Sequence, residues 1–355
     1  MTLRTPSAVA GGADALALPA PLYCSAAQEG IDRDTVFARS WQLVAHAAQL
    51  TGAGDHVPSS IAGVPLVIVR GEDGALRALH NVCRHRAGPL VLCPGRAAKS
   101  LRCRYHGWNY ALDGQLRSAT EMHGASGFDV AQVHLPQARV ALWQGLVFVC
   151  LDAATPPLEE VVAGMAQRMD ERDFGSMRFH RRVSYDIACN WKTYVDNYLE
   201  GYHLPHVHPG LNRLLDYRSY HIETAAWHSL QFSPLSADGP YAAGQAWYWF
   251  VWPNTMLNVL PGRLQTNQVL PIGAQRCRVD FDFYYDSDLA PEELSRLSTE
   301  DLAFSDEVQR EDITICEQVQ VGLASGSYLA GRLHPLRETA LSHFHALLRA
   351  AYRTA

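Results

Sequence analysis

The strongest constraint on this chain is a pair of Cys–His couples between residues 83 and 106. The first reads Cys83-Arg84-His85 and the second Cys103-Arg104-Tyr105-His106, with seventeen residues between them. Two thiolates and two imidazoles at these spacings fit a [2Fe–2S] centre in which cysteines hold one iron and histidines the other. Neutral nitrogen in place of anionic sulfur raises the potential, to a range of about −150 to +300 mV. Such a centre passes electrons one at a time. The competing reading is a four-ligand zinc site. Zinc usually takes C-x2-4-C with H-x3-5-H, or cysteine alone, and Cys-x-His with Cys-x2-His fits that grammar poorly. Cys93 has no histidine at a matching offset and reads as a packed or loop thiol.

The couples sit among short strands and turns. Val64–Val69 is an apolar strand, a Gly71–Gly74 turn follows, and Leu76–Val82 runs into Cys83. Asn109–Leu112, Asp113-Gly114 and Gln115-Leu116 read as a hairpin, because Asp-Gly supplies the positive φ of a tight turn. Both couples are therefore expected at hairpin ends. A chain of 355 residues fits two domains. The limits expected are an N-terminal segment over 1–38 packing on the catalytic domain, a cluster domain over 39–155 and a catalytic domain over 156–355. The Ala/Gly-rich start is expected to be loose. A helical stretch is expected over Leu158–Met169, a helix over Asn190–Gly201, a long helix over Pro291–Leu323 and an amphipathic helix from Arg337 to Tyr352.

Composition excludes several roles. A net charge of −6 with no Lys/Arg run gives no general attraction to nucleic acid or an anionic membrane. Nothing approaches eighteen uninterrupted apolar residues, so no membrane span is expected. A charged leader region is nearly absent before Ala15–Leu18, which Pro19 and Pro21 break, and eight cysteines are too dilute for a disulfide framework, so the expected location is the cytoplasm.

A second site is suggested by Asp196-Asn197-Tyr198-Leu199-Glu200-Gly201-Tyr202-His203-Leu204-Pro205-His206-Val207-His208. Two histidines and one carboxylate on one face, with open positions opposite, hold non-haem Fe(II) that activates O2. On a continuous helix His203 and His206 share a face, whereas His203 and His208 stand about 140° apart at about 100° per residue. Pro205 and Pro209 break such a helix, so spacing alone leaves the pair open. The acid must come from elsewhere. Asp312 is the one carboxylate inside the apolar stripe Phe304, Val308, Ile315, Val319 and Leu323. Its plainer reading is a salt bridge to an arginine. Glu311 and Glu317 fall off the stripe and read as solvated.

These motifs, with Gly107-Trp108 after the second couple and Asn190-Trp191-Lys192 before the histidines, resemble the α subunits of Rieske non-haem iron oxygenases over nearly the whole chain. The resemblance implies an α+β fold: a β-rich Rieske [2Fe–2S] domain plus a catalytic domain whose antiparallel sheet is covered by helices. It implies Cys83, His85, Cys103 and His106 as cluster ligands. The family pattern His-x4-His selects His203 and His208, with Asp312 as third ligand to the mononuclear iron and His206 as bystander. It gives Glu200 a catalytic role, bridging to His106 of a neighbouring subunit in a head-to-tail homotrimer. Asp196, one turn earlier, is a second candidate whose plainer reading is a helix-stabilising or solvated acid.

Glu at position 200, with the Gly331–Pro335 and His343–His345 tail, resembles the choline, carnitine and betaine-type subgroup, whose substrates carry a quaternary nitrogen. No Gly-rich dinucleotide fingerprint follows any strand, so electrons must come from a separate NAD(P)H-dependent reductase, with or without a ferredoxin. Trp247, Tyr248, Trp249, Phe250 and Trp252 share one expected strand, where alternate rings face opposite sides. Trp249 and Tyr202 are the candidates for an ammonium-binding cage, and core packing is the plainer reading. Arg213, Arg218 and Arg263 are available to a carboxylate. Two alternatives stand beside this: oxidation of an aromatic ring or aromatic carboxylate, and a Rieske electron carrier with no mononuclear iron.

Overall fold

The computed structural model describes residues 15–169, 172–236, 241 and 244–354. The start expected to be loose lies, up to residue 14, outside the described residues. The chain forms two compact units. The smaller comprises Phe37–Glu159 with a return of Arg172–Gly175, and the larger Met1–Val36, Glu160–Glu171 and Ser176–Ala355. The return segment was not among the sequence expectations. It is held by His46 Nε2, 3.0 Å from the Phe174 carbonyl, and by Gly145, where a Cβ would collide with the Gly175 backbone.

The smaller unit holds β1 (Gln42–His46), β2 (His56–Ile61), β3 (Val64–Arg70), β4 (Leu76–His80), β5 (Leu101–Arg102), β6 (Asn109–Tyr110), β7 (Leu116–Ser118), β8 (Gln137–Trp143) and β9 (Leu146–Cys150). Six strands form a sheet in the order β1-β9-β8-β4-β3-β2, and β5-β6-β7 form a second one. The strand β3 is apolar on both faces because it serves two cores. Val67 and Val69 pack with Cys83, Cys103, Trp108 and Tyr110. Leu66 and Ile68 point the other way, onto Val147 and Val149. Period-two alternation thus ties the cluster loops to the sheet.

In the larger unit, β10 (Arg178–Ile187), β11 (His221–Thr224), β12 (His228–Pro234), β13 (Gln245–Val251), β14 (Thr255–Leu260), β15 (Arg263–Gly273) and β16 (Arg276–Tyr285) make one antiparallel sheet. Its order is β10-β16-β15-β14-β13-β12-β11. Short helices α1 (Pro21–Cys24) and α2 (Ala26–Ile31) come first. The stretch expected as one helix over 158–169 is instead α3 (Leu158–Val161) and α4 (Met165–Arg168), parted by Gly164 at φ 82°. The helices α5 (Trp191–Tyr198), α6 (Leu204–Val207), α7 (Pro209–Leu214), α8 (Pro291–Ala324) and α9 (Thr339–Tyr352) follow.

Local sequence explains the helices that matter most. Asn190 caps α5, its side chain accepting from the Lys192 amide. Pro291 and the acids Glu292 and Glu293 start α8, which runs for 34 residues. A buried network joins the N-terminal helices to α5 and α9. Asp32 pairs with Lys192 Nζ and accepts from Trp191 Nε1 at 2.8 Å and Tyr352 OH at 2.6 Å. No helix among the described residues is long and apolar enough to cross a membrane.

Candidate active site and cluster loops

The two cluster loops share one backbone design. Cys83 N donates to the Gly88 carbonyl at 2.9 Å and Ala87 N to the Cys83 carbonyl at 3.0 Å. In the second loop Cys103 N donates to Trp108 O at 2.9 Å and Gly107 N to Cys103 O at 3.0 Å. Each turn needs positive φ, 57° at Ala87 and 73° at Gly107. The cysteines are buried, His85 is exposed and His106 is half-buried. The imidazoles converge, with Nδ1 of His85 and Nδ1 of His106 3.1 Å apart. Trp108 stacks on His85 at 4.9 Å, and the Tyr110 hydroxyl lies 3.3 Å from Cys83 Sγ. Two buried sulfurs and two converging ring nitrogens are the donor set a [2Fe–2S] cluster with mixed ligands needs.

In the larger unit His203, His208 and Asp312 each offer one ligand atom within 4.8 Å of the others. His203 is the N-cap of α6 and His208 stands between α6 and α7. At His208 the backbone leaves helical geometry, with φ −119° and ψ 77°. That break brings together two rings that a continuous helix would hold apart, with centroids 5.0 Å from each other. His206 is exposed.

Each ring is aimed by a glutamate behind it. Glu200 Oε1 lies 2.6 Å from His203 Nδ1, and Glu200 Oε2 accepts from the amides of Tyr202 and His203. Glu311 Oε2 lies 2.7 Å from His208 Nδ1. Both Nε2 atoms then face Asp312 Oδ1, at 3.8 Å from His203 and 3.0 Å from His208. Asn197 Nδ2 donates to the same oxygen at 2.6 Å. A carboxylate behind a ligating imidazole fixes its tautomer and raises its basicity. Two imidazole nitrogens and one carboxylate oxygen in this arrangement suit ferrous iron.

The triad opens on a cavity of about 790 Å³, counted with its mouth. The sheet supplies one wall through its register. Gln231, Tyr248, Asn258 and Gln265 are cross-strand partners in a single row, and all four line the cavity. Tyr198 and Tyr220 face it as well. The Tyr198 hydroxyl donates to Asn258 Oδ1 at 2.8 Å and the Tyr220 hydroxyl to Gln231 Oε1 at 3.2 Å. With hydroxyls so engaged, these side chains offer the cavity their rings. Burial raises the phenols of Tyr198 and Tyr220 well above their ordinary range and pushes Tyr248 up to about 12, so all three stay neutral.

Residues 40–135 match the family described as Rieske [2Fe-2S] domain, and residues 174–354 match Ring hydroxylating alpha subunit (catalytic domain). The chain is a Rieske oxygenase α subunit. It is 36% identical over 348 residues to the chloroplastic choline monooxygenase of Arabidopsis thaliana, across 93% of this chain and 81% of that one. It is 31% identical over 359 residues to the carnitine monooxygenase oxygenase subunit of Escherichia coli (strain K12), across 96% and 95%. The solved quaternary ammonium Rieske monooxygenase CntA, in complex with L-carnitine, superposes with TM-score 0.85 at 27% identity over 99% of each chain. Naphthalene 1,2-dioxygenase from Rhodococcus sp. shares the fold, with TM-score 0.81 at 18% identity. A Rieske oxygenase carries a [2Fe–2S] cluster and a mononuclear iron, acts on a small molecule and takes electrons from a reductase.

Several sequence expectations for this Rieske oxygenase need correction. Trp249 is buried but is not among the residues lining the cavity; its ring packs on His228, centroids 5.4 Å apart. The alternation that turns Tyr248 inward turns Trp249 to the opposite face. Tyr202 is half exposed, with its ring against His334, and does not line the cavity either. Of the three arginines considered, Arg263 lines the cavity, and Arg213 and Arg218 do not. Glu311, expected to be solvated, backs His208. Asp196 is engaged by Tyr23 OH at 2.5 Å and His345 Nε2 at 2.9 Å. Asn197 stands within the Asp196–His208 stretch and Glu311 beside Asp312, but neither carries a role at the site on sequence alone.

Proposed function

We propose that this oxygenase inserts oxygen into a C–H bond next to the nitrogen of a small quaternary ammonium compound. In this reading His203, His208 and Asp312 hold the mononuclear iron, and Cys83, His85, Cys103 and His106 hold the cluster. The iron, when bound, supplies O2 activation at the positions left open by a facial triad. One oxygen atom enters the substrate and the other leaves as water, which takes two electrons and two protons.

The chain's own residues do the rest. Glu200 and Glu311 keep Nδ1 of each ligand histidine protonated and Nε2 directed at the shared site. Asn197 holds the Asp312 carboxylate in one rotamer. Glu200, already bonded to His203, is the link by which electrons arrive from His106 of an adjacent copy in a homotrimer. The electrons start in a separate NAD(P)H-dependent reductase.

The observation that carries the substrate class is the tyrosine lining beside the triad. Neutral rings attract a cation that hydrogen-bonding groups cannot solvate, by about 0.5–2 kcal/mol each, and Tyr198, Tyr220 and Tyr248 all line this space. The relatives support it, being named for choline and carnitine. The test is a single turnover of dithionite-reduced protein with O2, offered choline, carnitine, betaines and benzoate-type acids, with products read by mass spectrometry. An oxidised ammonium compound is expected. Turnover confined to aromatic acids would overturn the reading. Single turnover unaffected by Glu200→Gln would remove the bridge.

A further inference from the structure

We propose that the cavity is charge-matched to a substrate with an ammonium head and an uncharged oxygen in its tail, and that Asp301 is the residue that turns away a carboxylate tail. The inference rests on the ammonium reading above and narrows it.

A zwitterionic substrate needs a cation for its acid. Among the described residues lining the cavity, Arg263 is the one Lys or Arg side chain. Its charge is already spent. Arg263 Nη1 is ion-paired with Asp301 Oδ1, and the two side chains are 6% and 0% exposed. Asp301 also accepts from Tyr241 OH at 2.5 Å and Tyr285 OH at 2.7 Å. Arg263 Nη2 donates to Gln265 Oε1 at 2.9 Å. A carboxylate approaching this guanidinium therefore approaches a buried like charge as well, and loses its hydration for no net countercharge.

The wall between this pair and the triad carries no charge, and polar side chains stand in it beside the apolar Phe304 and Val308. On α8, Asp301, Ser305, Gln309 and Asp312 recur at steps of four, four and three, so they share a face. That places the ion pair about 16 Å along the helix from the iron-binding end. Opposite, Arg263, Gln265 and Asn267 alternate along β15. They are chained through Gln265, whose Nε2 donates to Asn267 Oδ1 at 2.8 Å and whose Oε1 accepts from Ser305 at 3.2 Å. Two buried donors of cavity-lining side chains, Arg263 Nε and Gln309 Nε2, have no acceptor among the described residues. An acceptor oxygen on the substrate suits such donors, because a purely hydrocarbon tail would leave them unpaired. A hydroxyl supplies the lone pairs without importing a second negative charge.

The test is anaerobic calorimetric titration of the holoenzyme with choline, L-carnitine and γ-butyrobetaine. Choline is expected to bind at least about tenfold more tightly than either zwitterion. Asp301→Asn frees the guanidinium, and should raise zwitterion affinity relative to choline by about tenfold. The double variant Arg263→Gln with Asp301→Asn removes both charges and should return the preference to choline. A wild-type protein that binds either zwitterion as tightly as choline overturns the inference and leaves the ammonium reading intact. So does a folded Asp301→Asn protein with an unchanged ratio. If that variant does not fold, the wild-type ratio decides. Failure of all three compounds to bind overturns both.

Discussion

Glu311 Oε2 stands 2.7 Å from Nδ1 of His208, matching the 2.6 Å between Glu200 Oε1 and Nδ1 of His203. The site is thus symmetric one layer out from the triad. Glu200 comes from the same loop as its histidine, whereas Glu311 comes from the neighbour of Asp312 on α8. Glu311→Ala should lower affinity for the mononuclear iron by about 10–100-fold, the usual cost of losing the acid behind a ligand histidine. Iron quantitation after dialysis against a chelator checks this. The cluster's visible absorption should not change, since Glu311 belongs to the other compact unit.

The cluster loops leave no room at Gly88. A Cβ there would stand 2.9 Å from Cys103 Sγ and 3.3 Å from Tyr105 Cβ. Gly88→Ala should therefore displace a cluster thiolate and yield protein with little cluster absorbance. Equal absorbance per chain in variant and parent would contradict the crowding.

Asp32 and Lys192 form an ion pair in which the lysine is fully buried. Burial lowers the Lys192 pKa, and Asp32 pulls the other way. Asp32→Ala would strand the ammonium together with the donors Trp191 Nε1 and Tyr352 OH. The expected loss is about 3–5 kcal/mol, as for other broken buried pairs. Urea denaturation followed by tryptophan fluorescence measures it.

His343 on α9 is pushed down to about 4 by burial, with a smaller effect from His228. His228 is itself lowered by burial. In the folded chain these rings stay neutral where an unfolded histidine, near 6.5, takes a proton. Stability is therefore fully present above about pH 6.5 and falls as the pH drops toward 4, because the unfolded state binds more protons in that window. Each such ring contributes a slope of at most about 1.4 kcal/mol per pH unit. His343→Gln should flatten the acid limb of a stability–pH curve, and an unchanged limb would show that the ring does not titrate as described.

The sequence made the cluster legible because its ligands lie within two short loops, where spacing is geometry. Asp312 was legible because a carboxylate inside an apolar helical stripe is conspicuous. Choosing between His206 and His208 by phase was not possible, since the chain leaves the helix at His208 and the phase restarts there. Glu311 was hidden for the opposite reason: helical phase did hold, and its position off the stripe suggested water, whereas His208 arrives from 103 positions away to meet it. The aromatic strand showed that alternate rings part company. It did not show that Tyr248 belongs to the cavity side, because that depends on the neighbouring strands.

The long helix α8 carries Asp312 and its supporting Glu311 at one level and Asp301 at another, with Ser305 and Gln309 between. They are graduations on a single rigid rod. Adding or removing one residue between them would rotate one set by about 100° against the other, spoiling either the metal grip or the far recognition end. Descendants of this protein can therefore change what they accept by exchanging side chains along the rod, but not by stretching it.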